Sequence, residues 1–196
     1  WAEIETHGHI AHGSMPFLGD NAVRHMGAVL QAFETELYPA LASRHTAMPA
    51  VPEGARSSTL NINSIQGGPP EGVEGLPGPV VPDRARMVID RRFLIEEELK
   101  DVKGEVRDLL DRLAATRPDF RYDLRDIFEV IPTQTAQDAA VVQAVAHGIQ
   151  NVLGKEAEYV VSPGTYDQKH IARIGHLHDC IAYGPGILDL AHQPDE

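Results

Sequence analysis

Two amphipathic helix patterns, each enclosed by strand patterns, constrain the fold of this chain more than any other feature. In the first, apolar residues recur at helical spacing from Ala22 to Leu37, and Asp20 is a candidate N-cap. In the second, they recur from Ile95 to Leu113. Alternation with a period of two, which is typical of strands, occurs in four segments: Ala2–His9, Ser57–Ile65, Val80–Phe93 and Phe120–Val130. The order is therefore strand, helix, strand, strand, helix, strand.

This order predicts an α+β fold for residues 1–130. We expect a ferredoxin-like βαββαβ domain with one antiparallel sheet and two helices on one face. The segment Ser57–Ile65 alternates apolar and polar residues, as edge strands often do. Residues 67–79 contain five Gly and four Pro, which predicts a long loop.

Residues 131–196 follow a different pattern. A helix is predicted to end before Gly154, and a shorter helical segment is predicted at Asp167–Ile174. Short apolar strands are predicted at Glu158–Val161 and Cys180–Tyr183. This alternation suggests an α/β sheet with too few strands for its own core. We therefore expect a C-terminal part of a second domain, in a chain that begins at Trp1 as a piece of a longer protein.

The overall charge argues against several kinds of partner. The chain has 196 residues, 17 Lys+Arg against 29 Asp+Glu, and a net charge of −12. Binding to nucleic acid or to an anionic membrane needs clustered Lys and Arg, so neither is expected. No apolar run reaches the roughly 20 residues that span a bilayer. The single cysteine, Cys180, excludes an internal disulfide and favours a reducing, cytoplasmic location.

Three histidines in the run THGHIAHGS form the first candidate site. On a strand, His7 and His9 would share a face and could hold a metal ion, although a polar strand end with no ligand is the alternative. His12 differs from them, because the following Gly13 and Ser14 predict a tight turn that presents its side chain.

Two later segments are also candidates. His192 follows the turn Gly184–Gly186 and is either a metal ligand or an isolated surface histidine. In SPGTYD, Gly164 and Thr165 could donate hydrogen bonds to a substrate carboxylate or carbonyl, or they could form a turn that Asp167 caps.

Four blocks in order carry a resemblance to a known family. The run GHIAHGSMPFLGDNAV resembles the opening of the lid, or dimerisation, domain of the two-zinc amidohydrolases and exopeptidases. That family includes acetylornithine deacetylase, succinyl-diaminopimelate desuccinylase, aminoacylase and carboxypeptidase G. Three later blocks of the same family resemble the runs VVPDRARMVIDRRF, SPGTYDQKHIARIG and YGPGILDLAHQPDE.

The resemblance implies a catalytic α/β domain with two divalent metal ions, usually zinc, and an inserted lid that also forms a homodimer. It implies that His192 is a metal ligand. It also implies that His12 is a catalytic residue that reaches the partner subunit's site and stabilises the oxyanion of the tetrahedral intermediate. The substrate-binding residues that it implies are Gly164, Thr165, Asp167, Gly184 and Gly186.

The implied reaction is cleavage of the amide bond of a small N-acyl amino acid or peptide by metal-activated water. The family's other metal ligands and its glutamate base would precede Trp1, so we expect the chain alone to hold no catalytic metal and to be inactive. Gly78-Pro79 also stands where family members commonly have Asn. The alternative is a non-catalytic dimerisation or binding module in which the strand at Ser57–Ile65 pairs with its copy across a two-fold axis.

Overall fold

The four predicted strands are present and pair into one antiparallel sheet. Their order in the sheet is β2-β3-β1-β4, which makes β2 an edge strand as predicted. The structure is a computed structural model that describes residues 1–68 and 78–184, so most of the predicted Gly/Pro loop lies outside the described residues. The strands are β1 (Ala2–His7), β2 (Thr59–Gly67), β3 (Arg84–Arg92) and β4 (Arg121–Asp126).

The pairing of β2 with β3 contains one irregularity. Ile62 lies opposite Ile89, but the next paired residue is Ser64, opposite Val88, so Asn63 is an extra residue on β2. Such a β-bulge bends its strand and increases the local twist.

The helices form where the two apolar stripes predict them. α1 (Ala22–Ala32) continues through a wider π-helical turn at Phe33–Leu37 into α2 (Tyr38–Ala42), and α3 (Leu99–Thr116) forms the second stripe. The π-helical turn lies just before Pro39, which has no N–H to donate to the preceding turn.

The predicted N-cap of α1 is wrong by one residue. The side chain of Asn21, not Asp20, accepts hydrogen bonds from the backbone N–H groups of Val23 and Arg24, at 2.9 and 3.2 Å. Asp20 is unavailable as a cap because its carboxylate binds His25 instead.

The core lies between the sheet and the helices. Ile4 and Met87 from the sheet and Phe33 and Leu110 from the helices are completely buried in one apolar cluster. The predicted α+β fold is therefore confirmed. The other buried members are Ala22, Met26, Val29, Ala32, Leu37, Leu41, Leu60, Ala85, Ile89, Val106, Leu109 and Phe120.

A buried arginine in β3 binds one glutamate of α3 and one from the turn just before that helix. The Arg91 side chain is only 6% exposed, and its Nη2 lies 2.8 Å from Glu97 Oε1 and 3.3 Å from Glu105 Oε2. Arg44 contacts the same two glutamates. A buried charge is tolerated only when it is paired, so these contacts explain how Arg91 can lie at this position.

The opposite face of the sheet carries charged side chains. Glu3 of β1 binds Arg86 of β3 at 3.3 Å and Arg125 of β4 at 2.9 Å, and Glu5 binds Arg84 at 3.3 Å. The arginines of these pairs are exposed, and ion pairs at a protein surface contribute about 0–1 kcal/mol each. Their alternation keeps this face polar, as in antiparallel sheets with one face on the core.

The chain divides into two units. The sheet and its helices belong to the first, which consists of Trp1–Arg44, Ser58–Phe93 and Glu97–Glu129. The second consists of His45–Ser57, Leu94–Glu96 and the chain from Val130 onward.

The second unit contains the two predicted helices but not the two predicted strands. α4 (Ala140–Leu153) ends at Gly154, whose left-handed φ of 66° suits glycine, and α5 spans Gln168–Gly175. In the segment 158–161, Val161 alone bridges to Ala50, and residues 180–183 form no strand. Neither segment has a neighbouring strand among the described residues of this unit, so apolar character alone does not produce a sheet there.

Apolar side chains of the second unit are largely exposed. Val142 is the only buried residue of α4, whereas Val152 is 81% exposed. Cys180 is half-buried. No helix of the described residues is long and apolar enough to cross a membrane.

Tyr122 of β4 gives the first unit a testable dependence on alkaline pH. Burial, and then the hydrogen bond from its hydroxyl to Asp111 Oδ1 at 2.6 Å, raise the pKa of Tyr122 from 10.0 to about 12. Folding therefore favours the neutral phenol, and this contribution is complete below pH 10 and is lost as pH rises through 12. We expect the stability advantage of the natural protein over Tyr122→Phe to shrink between those values.

Urea unfolding of both proteins between pH 8 and pH 12 measures this difference. Tyr183→Phe, measured over the same range, is the control variant, because it removes a hydroxyl from an exposed side chain. A pH-independent difference for Tyr122→Phe would contradict the assignment.

Candidate functional site

A closed loop between β1 and α1 carries His12. The backbone N–H of His9 donates to the carbonyl of Asp20 at 2.8 Å, and the N–H of Asp20 donates back to the carbonyl of His9 at 2.9 Å. Just before this pair, a Cβ on Gly8 would lie 2.2 Å from the Asp20 carbonyl oxygen, so the approach requires glycine. The two ends of the loop are thus held together by the backbone.

The middle of the loop is fixed against the residues that precede β3. Val81 N–H donates to the carbonyl of Ala11 at 2.8 Å, and Gly13 N–H donates to the carbonyl of Pro79 at 2.7 Å. A Cβ on Gly13 would lie 2.8 Å from that Pro79 oxygen, so this contact also depends on glycine. His12 itself bridges to Val80.

His12 lies between these two fixed positions and is exposed. Met15 N–H donates to the His12 carbonyl at 2.8 Å, which forms the predicted tight turn. The Nδ1 atom of His12 lies 2.8 Å from Ser14 Oγ and 3.2 Å from Ser14 N. Further along the loop, Phe17 is 79% exposed and Leu18 is 61% exposed. The turn therefore presents the His12 imidazole at the surface, and exposed apolar side chains follow it in the same loop.

A buried histidine connects the end of the loop to both helices of the layer. His25 of α1 is 3% exposed, and its Nε2 lies 2.8 Å from Asp20 Oδ1. Its Nδ1 accepts a hydrogen bond from Nε of Arg117, which follows α3, at 2.9 Å. Because the Arg117 group can only donate, His25 carries its proton on Nε2 and donates it to Asp20. The ring edge also packs against Phe120, with centroids 5.4 Å apart.

A depression of about 490 Å³ adjoins the loop. Its walls combine an imidazole, a guanidinium, two carboxylates and two apolar side chains. The lining residues are His9, Phe17, Leu18, Gly19, Asp20, Asp119 and Arg121.

The histidine pair predicted as a metal site does not assemble with further ligands. His7 Nε2 lies 2.8 Å from Asp123 Oδ2 on β4, whereas His9 lies outside β1 and pairs with Asp20. Among residues 1–68 and 78–184, no three or more His, Cys, Asp or Glu side chains come together as metal ligands. The described residues therefore do not fit a catalytic metal centre.

The predicted substrate-binding residues of the second unit lie in a turn before α5. Gly164 N–H donates to Ser162 Oγ at 3.2 Å, and Ser162 Oγ lies 2.8 Å from the Tyr166 hydroxyl. Asp167 is at the N-cap position of α5 without a side-chain capping bond, so its predicted capping role is not seen. Thr165 lies between them.

The end of the chain is only partly described. Gly184 is the last described residue, and a Cβ at this position would meet no atom within 4 Å. His192 and Gly186 lie outside the described residues. Their predicted roles stay predictions.

The contacts that hold His12 in place were not predicted from the sequence. Ser14 is two residues from His12, so the spacing His-x-Ser was a usable local signal. The pairing of His25 with Arg117 joins residues 92 apart in the chain, and no local pattern marks it.

The comparisons with known proteins agree on one kind of domain. Residues 1–118 match the family described as "Peptidase dimerisation domain". A comparison with curated proteins finds no significant match.

Solved structures share the fold. They include a tripeptidase from Staphylococcus aureus subsp. aureus Mu50 (20% identity, TM-score 0.60, 89% of this chain and 40% of that one). The aminopeptidase PepT from Bacillus cereus ATCC 10987 has 18% identity and a TM-score of 0.61, over 90% of this chain and 41% of that one. An amidase of the hydantoinase/carbamoylase family from Burkholderia vietnamiensis has 21% identity and a TM-score of 0.62, over 89% of this chain and 37% of that one. The chain thus spans about two fifths of these proteins.

Replacing His25 tests the contact between the loop and the helices. His25→Ala removes the shared partner of Asp20 and Arg117 and leaves a cavity, so the free energy of unfolding should fall by about 2–3 kcal/mol. Trp1, the only tryptophan, belongs to the same unit and reports urea unfolding by fluorescence. The exposed His9 provides the control His9→Ala, which should cost less than about 0.5 kcal/mol. If both variants lost the same free energy of unfolding, the buried contacts of His25 would contribute nothing to stability.

Proposed function

The chain belongs to the peptidase dimerisation domain family, and on this basis we propose that it is the accessory, dimer-forming part of a hydrolase that cleaves C–N bonds. The family match over residues 1–118, together with an exposed His12 on a fixed loop, carries the proposal. Membership also confirms the resemblance inferred from the sequence blocks.

In this proposal, residues 1–130 are the lid and dimerisation domain, and residues 131–196 are a C-terminal part of the catalytic domain. The exposed apolar side chains of α4 support the second assignment, because a complete domain would bury most of them. The rest of the catalytic domain would come from outside this chain.

His12 is the proposed catalytic residue. Its turn holds the imidazole in a fixed position at the surface, where it can approach a site on another subunit. A preorganised hydrogen-bond donor aimed at a developing oxyanion lowers the barrier of amide hydrolysis, because no reorganisation is needed during the reaction.

Metal dependence is also part of the proposal and rests on family membership. In this proposal two divalent ions, zinc by the resemblance to the two-zinc amidohydrolases, would be held by His192 and by residues outside this chain. A zinc site needs three or four protein ligands, most of which would lie outside this chain, so we propose that the chain alone is inactive.

The proposed substrates are small N-acyl amino acids or peptides. Gly164, Thr165, Asp167, Gly184 and Gly186 are the proposed contacts in the second unit. A tripeptidase, an aminopeptidase and an amidase are among the structures that share the fold, and all three names describe hydrolysis at C–N bonds.

The single Cys180 supports a cytoplasmic location, and the net charge of −12 argues against nucleic-acid and membrane partners.

The free edge of β2 is the proposed dimer contact. β2 lies at the edge of the sheet, so its outer backbone groups have no neighbouring strand among the described residues. Ile65 on this strand is 49% exposed. Pairing of two such edges across a two-fold axis would satisfy these groups and extend the sheet. The same contact would serve the alternative, a dimerisation module with no catalytic role.

Replacing His12 tests the catalytic role. In the longer enzyme, His12→Ala should lower kcat about 100-fold or more with little change in KM, because only the transition state loses a donor. His147→Ala on the exposed surface of α4 is the control and should retain the natural rate. The 196-residue chain, assayed with added zinc, should cleave no substrate. An unchanged kcat for His12→Ala would contradict the catalytic role of His12 and would leave the non-catalytic dimerisation module as the remaining hypothesis.

Replacing Ile65 tests the dimer contact. Ile65→Lys places a positive charge on the contact strand of each copy and removes apolar contact, so dimerisation should weaken about tenfold or more. Equilibrium sedimentation of the chain measures this, with Ile171→Lys on α5 as the matched control. If the natural chain sediments only as a monomer at high concentration, the dimer proposal is wrong.

A further inference from the structure

Ser14 makes two contacts with the same nitrogen of His12. Its backbone N–H points at His12 Nδ1 with a nitrogen–nitrogen distance of 3.2 Å, and its hydroxyl oxygen lies 2.8 Å from the same atom. Both contacts come from a residue only two positions away, inside the turn that the Met15 N–H closes on the His12 carbonyl.

These contacts determine where the imidazole carries its proton. A backbone N–H can only donate, so His12 Nδ1 must be the acceptor and cannot carry a hydrogen. The Ser14 hydroxyl, which can donate or accept, therefore donates to Nδ1 as well. The ring is neutral, and its single N–H is on Nε2.

The surrounding loop keeps Ser14 and His12 together. Gly13, which lies between them, is fixed by its hydrogen bond to the Pro79 carbonyl and by close contact that leaves no room for a Cβ. His12 bridges to Val80 on the same side. Moving the Ser14 N–H away from the ring would therefore require the turn itself to open.

We propose that Ser14 is a positioning residue that holds His12 as a neutral imidazole with its Nε2–H available as a hydrogen-bond donor. This inference rests on the proposed function for its consequence in catalysis. A neutral donor of fixed orientation can bind a developing oxyanion without first changing its protonation state or its rotamer. The proposal adds a residue, and a defined tautomer, to the role of His12.

Nitrogen NMR of the histidine side chains tests the contact in this chain without any activity assay. Long-range ¹H–¹⁵N spectra at a pH where the imidazoles are neutral separate the two tautomers, and His12→Ala assigns the His12 signals. We expect Nε2 to carry the proton in the natural chain. In Ser14→Ala, Nδ1 accepts one hydrogen bond fewer, so its ¹⁵N chemical shift should move towards that of an imidazole nitrogen with no hydroxyl donor. Ser14→Thr keeps the hydroxyl and should restore the natural shift. A His12 ring protonated on Nδ1, or an Nδ1 resonance that Ser14→Ala does not move, would overturn the proposal.

Kinetics of the longer enzyme test the consequence. Ser14→Ala should lower kcat about tenfold, which corresponds to one hydrogen bond, with KM nearly unchanged and with rescue by Ser14→Thr. In the His12→Ala background, the same substitution should cause no further loss. An equal loss in both backgrounds would show that Ser14 acts by another route and would overturn the proposal. If His12→Ala leaves kcat unchanged, the catalytic role proposed for His12 fails, while the NMR result still decides whether Ser14 positions His12.

Discussion

The paired backbone of His9 and Asp20 is the constraint on which the candidate site depends. The two hydrogen bonds close a loop of the chain at its base, so the residues inside it have a fixed start and end. The Asp20 carboxylate then binds His25, and Arg117 fixes the other side of that ring. The exposed His12 is thereby linked to the buried helical layer, and its position depends on packing far from the surface.

Close backbone contacts reinforce this link. At Gly8 and Gly13, any larger side chain would collide with a carbonyl of a neighbouring segment. Fixing a loop in one conformation costs conformational entropy during folding. In a hydrogen-bonded loop this entropy is lost during folding, before any ligand binds. A hydrogen-bond donor on such a loop is therefore preorganised, because binding requires no further ordering of the loop.

The sequence predicted the fold well where local pattern and tertiary environment agree. The apolar stripe from Ala22 and the alternation around Ser57–Ile65 predicted a helix and an edge strand, and both are present. The prediction was wrong at Cys180–Tyr183, because a strand needs a partner and none lies beside it among the described residues. For the site, the turn after His12 was readable from Gly and Ser, whereas the role of Asp20 depended on the distant Arg117. Hydrogen bonds between residues far apart in sequence leave no periodic signal.

The extra residue at Asn63 limits how β2 can join another chain. It interrupts the regular spacing of backbone groups along the outer edge, so one continuous ladder cannot run over the whole strand. Thr59–Ile62 and Ser64–Gly67 remain as two short regular stretches. Two copies that pair across a two-fold axis must therefore pair through one of these two stretches. Asn63 thus restricts where the axis can lie along β2, and it confines the shared hydrogen bonds to half of the strand.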